Sequence, residues 1–271
     1  MRSIQVRNRR VFAIVKRSDQ PSTGLEDAPS RKPVLTRRLL WLLWVAAIAS
    51  FLGVWLVPVS NRITRFGGVF LLLVCWFGLL SLTWRHHRIR IGLLVITGLA
   101  AGFLIMPTST RSVWQTLRQD YLVGLRRYTD VTYYWGGESF KGIDCSGLIR
   151  RGLIDSAFCR GVCSLNPELV RYAIWLWWHD CSASDLGEEH LHMTVHVLDT
   201  PSINRLDHSR ILPGDLAVTA SGVHIMAYLG SNTWIEADPG AARVITVLAP
   251  CETNAWFLEP MKVMRWSILQ P

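Results

Sequence analysis

The stretch YYWGGESFKGIDCSGL, residues 133–148, decides how the rest of the chain is read. Its glycines at 136, 137 and 142 are turn signals. After Cys145 the apolar residues Leu148, Ile149, Leu153 and Ile154 recur at helical spacing. Cys145 is therefore expected at a helix N-terminus, where unpaired N–H groups and the positive end of the macrodipole favour thiolate over thiol. Such a cysteine needs a base, which is more often distant in sequence than adjacent. His224 is the candidate, in GVHIMAYLG at 222–230, with LPGDL at 212–216 before it and TWIEA at 233–237 after it. Pro-Gly, Ser-Gly and Gly-Ser-Asn turns divide this region into three short strands. His224 and Glu236 then fall on adjacent antiparallel strands, so Glu236 is placed to orient the imidazole.

Taken in order, these blocks resemble the NlpC-type cell-wall cysteine peptidases, papain-like bacterial enzymes that cut the peptide stems of peptidoglycan. The pattern is an aromatic-Gly-Gly segment (Tyr133, Trp135, Gly136, Gly137), Asp144 to Gly147 around the cysteine, Pro213 to Leu216, His224 and the Tyr228-Leu229-Gly230 strand end. It spans roughly residues 114–266 and none of the first hundred. The resemblance implies an α+β fold: a papain-like, NlpC-type domain with an antiparallel sheet and a helix carrying the nucleophile. It also implies hydrolysis through Cys145, His224 and Glu236, an oxyanion facing the Cys145 N–H and the Tyr133 hydroxyl, substrate contacts from Asp144, Ser146 and Trp135, and neither metal nor cofactor. Asp144 is equally suited to cap the helix. The third position of the family is usually His, Asn or Gln. Glu236 departs from that, although a carboxylate can hold an imidazole and stabilise its cation; Asp238 is the second candidate. The distance from Cys145 to His224 is longer than in a minimal member, which suggests an insertion at about 159–199.

Charge divides the chain. Residues 1–106 carry fifteen Lys/Arg against three acids and residues 107–271 fourteen against seventeen, so the net charge of +9 belongs to the N-terminal part. A nucleic-acid partner thereby loses its main support. Residues 1–38 hold ten Lys/Arg without a sustained apolar period, the pattern of a flexible cytoplasmic tail, and no ordinary signal peptide. Three uncharged apolar stretches follow at 39–57, 66–84 and 91–106. They are expected to be transmembrane helices, with Trp41, Trp44, Trp55 and Trp84 near their ends at the interface. The positive-inside bias puts the N-terminus in the cytoplasm. Three crossings then place residues 107–271 outside the bacterial inner membrane, facing peptidoglycan.

The soluble part adds Cys159, Cys163, Cys181 and Cys251, an even number that in an oxidising compartment suggests two disulfides. Trp114, Leu117, Tyr121, Leu122 and Leu125 predict an amphipathic helix over 112–128. A second helix starts at Asn166-Pro167 and carries Tyr172, Trp175, Trp177 and Trp178, able to line a cleft, lie on a membrane or pack the insertion. His190, His192 and His196 lack an HExxH frame and read as solvated. Residues 243–248, and the run from 256–258 to 263–266, read as further strands. The readings that compete with a peptidase are an amidase or acyltransferase on the same fold, a silent wall-binding module, and a metal hydrolase built on the histidine cluster.

Overall fold

The computed structural model describes residues 32–57, 59–107 and 114–271, so most of the basic tail and the join at 108–113 lie outside the described residues. Three apolar helices come first: α1 (Lys32–Leu56), α2 (Arg62–Leu82) and α3 (His87–Ile105). Their apolar runs of 19, 21 and 19 residues are each long enough to cross a bilayer. Leu42, Phe70 and Leu99 are 67%, 65% and 69% exposed, a pattern that suits lipid as the surrounding solvent. Asn61 starts α2 with a capping box shared with Thr64. The Trp44 indole donates to the Cys75 carbonyl at 2.8 Å and fastens α1 to α2.

The remainder is α+β. Helix α4 (Trp114–Arg126) buries Leu117, Tyr121 and Leu125 completely, the one-turn repeat expected of it. A small hairpin of β1 (Glu138–Ser139) and β2 (Gly142–Ile143) runs directly into α5 (Cys145–Cys163). Then come α6 (Pro167–Trp178), the short α7 (Ala183–Gly187) and β3 (Thr194–Thr200). The strands β4 (Leu216–Thr219), β5 (Ile225–Gly230), β6 (Thr233–Asp238), β7 (Arg243–Leu248) and β8 (Met261–Trp266) complete a six-stranded sheet ordered β3-β8-β4-β5-β6-β7. All its pairings are antiparallel.

Side-chain alternation gives the sheet two cores. Ile225, Ala227, Ile235 and Ala237 pack with Leu148, Ile149 and Leu153 of α5, whereas Met226, Tyr228 and Trp234 pack with Phe257 and Val263 on the other face. The start of α5 is pressed onto the glycine loop: a Cβ at Gly147 would lie 2.2 Å from the Gly137 carbonyl oxygen, so only glycine permits this approach.

Two expectations are corrected. All six cysteines are free. Cys159 and Cys163 are exposed one turn apart on α5, while Cys181 packs in the first core and Cys251 against the second, on opposite faces of the sheet. Residues 256–258 form a 3-10 turn (Ala255–Leu258), because the Asn254 side chain caps the Trp256 N–H at 3.0 Å and bends the chain. The aromatics of α6 do not line the cleft around Cys145: Tyr172, Trp175 and Trp177 pack on the first core, and Trp178 stacks edge-on against Phe66 of α2 at 4.7 Å. The histidine cluster is split, with His190 and His192 in a turn and His196 Nε2 3.0 Å from Asp199 on β3.

Helix α2 and the C-terminal part meet through buried charge. Glu138 accepts from Arg65 of α2 at 2.9 Å and lies 2.8 Å from Arg150 of α5. Asp180, in the α6–α7 connection, lies 3.2 Å from Arg65 and 2.9 Å from Arg150. The Arg65, Glu138 and Arg150 side chains are no more than 3% exposed. Removing one member of such a group strands the others without water or partner. Glu138→Ala is expected to cost about 3–5 kcal/mol, read as a large drop in the thermal unfolding midpoint of the detergent-solubilised chain; an unchanged midpoint would show that the network carries no stability.

Candidate active site

Asp144 ends the β1–β2 hairpin in an extended conformation and becomes the N-cap of α5. One carboxylate oxygen accepts from the Gly147 N–H at 2.6 Å and the Ser146 hydroxyl at 3.0 Å; the other accepts from the Gly136 N–H at 2.8 Å. Its oxygens thus tie the helix start to the glycine loop, which is the capping role. Cys145 is the first residue of the helix and is 7% exposed, at a point where the leading N–H groups of a helix have no intrahelical acceptor.

His224 precedes β5 by one residue, and Glu236 lies near the C-terminal end of β6. The register that pairs Ala227 with Ile235 carries Glu236 alongside the start of β5. The His224 Nε2 and Glu236 Oε2 atoms are 2.6 Å apart, with Glu236 fully buried. The Cys145 side chain is near enough to the imidazole to raise its pKa. Burial pushes the His224 imidazolium down, but the hydrogen bonds from Cys145 and Glu236 and their charges outweigh it and raise the pKa from 6.5 to about 9. Asp238 accepts from the Gly240 and Ala241 N–H groups, both at 3.0 Å, which holds the β6–β7 turn, and from the indole of Trp256 at 3.3 Å.

Tyr133 pairs with Ile143 in a parallel bridge beside the nucleophile helix. Its pKa is pushed up to about 12, first by burial and then by Cys145, Asp144 and Asp238, so its hydroxyl stays a proton donor. Trp135 is 77% exposed at the cleft mouth. The cleft has a volume of about 490 Å³, with Trp135, Asp144, Cys145 and Ser146 along one side and Ser182, Ala183 and Val223 among the residues opposite.

Three supporting side chains escape a reading of the sequence. The Asn254 amide donates to Glu236 Oε1 at 2.6 Å, giving the second carboxylate oxygen a partner. The Trp256 indole stacks on the His224 ring at 4.3 Å and 15°, fixing its plane. Thr219 Oγ1 accepts from the Val223 and His224 N–H groups at 3.1 and 3.0 Å and shapes the turn that delivers the imidazole. The available signal was the Asn254-x-Trp256 spacing, an Asx cap inside a segment otherwise rich in apolar residues.

No protein-family model matches the chain, and none of the curated proteins does. Among solved structures it is similar to NlpC/P60 proteins over its C-terminal part. The P60 domain of an antigen from M. avium subspecies paratuberculosis is 20% identical, with 58% of this chain and 98% of that one covered and a TM-score of 0.35. The peptidoglycan hydrolase RipB from Mycobacterium tuberculosis is 18% identical, covering 68% and 84% with a TM-score of 0.37. An NlpC/P60 family protein from Bacillus cereus is 18% identical, with 59% of this chain covered, a TM-score of 0.35 and only 41% of its own length spanned. Scores below 0.5 leave the chemistry to be argued from the side chains themselves.

The raised His224 pKa fixes a pH dependence. Because the folded-state value lies above the ordinary one, the stability contributed by the charged pairing is complete below about pH 6.5 and is lost as pH rises through about 9. Glu236→Gln should move the NMR titration midpoint of His224 about 1–3 pH units lower. A midpoint that stays in place would remove Glu236 as its partner.

Proposed function

We propose that this chain is a membrane-anchored cysteine peptidase that hydrolyses an amide bond in peptidoglycan stem peptides. The observation that carries the reading is the buried imidazole of His224 held at 2.6 Å by the buried Glu236 carboxylate, with Cys145 near enough to raise its pKa and itself lining an open cleft. Nucleophile, base and orienter brought together in this way is the arrangement that covalent acyl transfer requires.

In the reaction, the proton of the Cys145 thiol resides on His224, and the sulfur attacks the scissile carbonyl carbon. The C=O π pair moves to oxygen, where the Cys145 N–H and the Tyr133 hydroxyl donate to the developing negative charge. Collapse of this intermediate breaks the C–N bond, His224 hands its proton to the leaving amine, and a thioester remains. His224, neutral again, takes a proton from water. The hydroxide oxygen bonds to the acyl carbon, the C–S bond breaks, and a carboxylic acid is released with the thiol restored. Glu236 holds the imidazole in one tautomer throughout, and Asn254 and Trp256 hold Glu236 and the ring.

The substrate class rests on the resemblance of residues 133–148 and 212–236 to the cell-wall peptidases, which points to a bond such as that between D-Glu and the diamino acid. The topology we propose has the N-terminus in the cytoplasm and residues 107–271 outside the inner membrane. Helix ends support it. Arg65 and Lys141 join the α1–α2 connection to the C-terminal part, and Arg171 of α6 donates to the Leu104 and Met106 carbonyls at the end of α3. Both ends lie on the domain side, whereas Arg85, Arg88 and Arg90 cluster around the α2–α3 connection at the opposite ends of those helices. Three crossings with the basic connection inside satisfy this arrangement.

Cys145→Ala in the full chain should abolish release of new muropeptides from isolated peptidoglycan, measured by mass spectrometry, while leaving the circular dichroism spectrum intact. Cleavage that persists in the variant would dismiss the cysteine mechanism.

A further inference from the structure

One wall of the cleft comes from the membrane hairpin. Val59 forms an antiparallel bridge with Gly137, and the Ser60 N–H donates to the Gly136 carbonyl at 2.9 Å. Ser60 and Arg62 thereby line the same cleft as Trp135, Asp144 and Cys145. Arg65 holds this wall from behind, its Nε donating to the Ser60 hydroxyl at 3.0 Å and its Nη2 to Glu138 at 2.9 Å. The connection is therefore a fixed part of the cleft and not a tether passing by it.

Arg62 is placed differently from Arg65. It is exposed, and among the described residues no hydrogen bond or ion pair engages its guanidinium. The carboxylates of the same cleft are occupied. Asp144 caps α5 and holds Gly136; Asp180 bridges Arg65 and Arg150; Asp185 accepts from the Ser182 N–H and hydroxyl, both at 2.8 Å. The acceptor oxygens of these carboxylates are thus engaged, whereas an entering peptide meets in Arg62 a guanidinium whose donors are free among the described residues. A guanidinium presents its N–H donors as a planar fork that matches a carboxylate in two parallel bonds.

We propose that Arg62 is a specificity-determining residue: it pairs with a free carboxylate of the peptide substrate, one flanking the scissile amide. The inference rests on the hydrolase reading of this cleft and adds to it that the membrane hairpin takes part in choosing the substrate. The pairing lies in an open, partly solvated cleft, so its contribution is a charge-assisted hydrogen bond and not a buried ion pair.

The test uses the full chain in detergent with Cys145→Ala, so that affinity is read without cleavage. Calorimetry would compare three probes: the tripeptide L-Ala–γ-D-Glu–diaminopimelate, and two counterparts in which one or the other carboxylate flanking the D-Glu–diaminopimelate bond is a carboxamide. One amidation is expected to weaken binding roughly tenfold. Adding Arg62→Gln should bring that ratio to about one, and Arg62→Lys should keep part of it. Arg62→Gln leaving both ratios unchanged overturns the proposal, as does equal or absent binding of all three probes. Turnover is scored separately: Arg62-dependent selectivity in an intact chain that cleaves none of the peptides would sink the peptidase reading and leave the carboxylate site standing.

Discussion

A single carboxylate, Glu138, holds two parts of the molecule that the sequence separates. It sits between Arg65, near the start of a membrane-type helix, and Arg150, in the second turn of α5. Two cations around one anion leave a net positive charge in a space almost closed to water. Asp180 relieves it by reaching both arginines from the α6–α7 connection, and the Leu176 and His179 carbonyls accept from Arg150 at 2.9 and 3.1 Å. Buried pairs of this kind contribute less net stability than their Coulomb attraction suggests, because desolvation offsets it. Their value here is positional. Glu138 directly follows Gly136 and Gly137, so fixing it fixes the loop against which α5, the hairpin wall and the Asp144 cap are all registered.

The same economy of partners appears at His224 and Glu236. The Glu236 carboxylate brings a negative charge into a buried position, and that charge has to be balanced. His224 answers one oxygen of Glu236 and Asn254 the other, so both acceptor atoms are satisfied at 2.6 Å. The consequence runs back to the imidazole, whose protonated form is held by a charge and not merely by a dipole. Trp256 lies flat against that ring and removes the rotation by which a charged imidazole would otherwise seek water. The carboxylate at 236 is therefore accompanied by an electrostatic environment suited to it.

How much of this was legible follows from the range over which each signal acts. The helix starting at Cys145 was readable because capping residue, glycine punctuation and apolar period all lie within a dozen residues and agree. The pairing of His224 with Glu236 was readable for a related reason: two strands joined by a tight turn carry their register in the local sequence. Charge pairing has no such local signature. Arg65 reads as an interfacial residue and Glu138 as a loop residue, and only the fold brings them together. Asn254 was hidden because three apolar residues after it looked like a strand, while its side chain had already committed the backbone to a turn. The disulfide expectation rested on an even count of cysteines, which says nothing about which face of a sheet each one occupies.

The proposed topology and the buried network constrain one another. Arg65 lies on the side assigned to the exterior, where the charge bias of connections disfavours arginine, yet its charge is neutralised by Glu138 and does not count as a free cation. Among the described residues no acid neutralises the exposed arginines of the α2–α3 connection, and they lie at the opposite ends of α2 and α3. A domain fastened both at the α1–α2 connection and, through Arg171, at the end of α3 cannot swing on a linker. One wall of its cleft is the hairpin itself, so on the proposed topology the cleft lies beside the lipid headgroups. On this topology the peptides it reaches are those close to the membrane surface, and access is governed by the position of the substrate relative to the bilayer as much as by the chemistry of the bond.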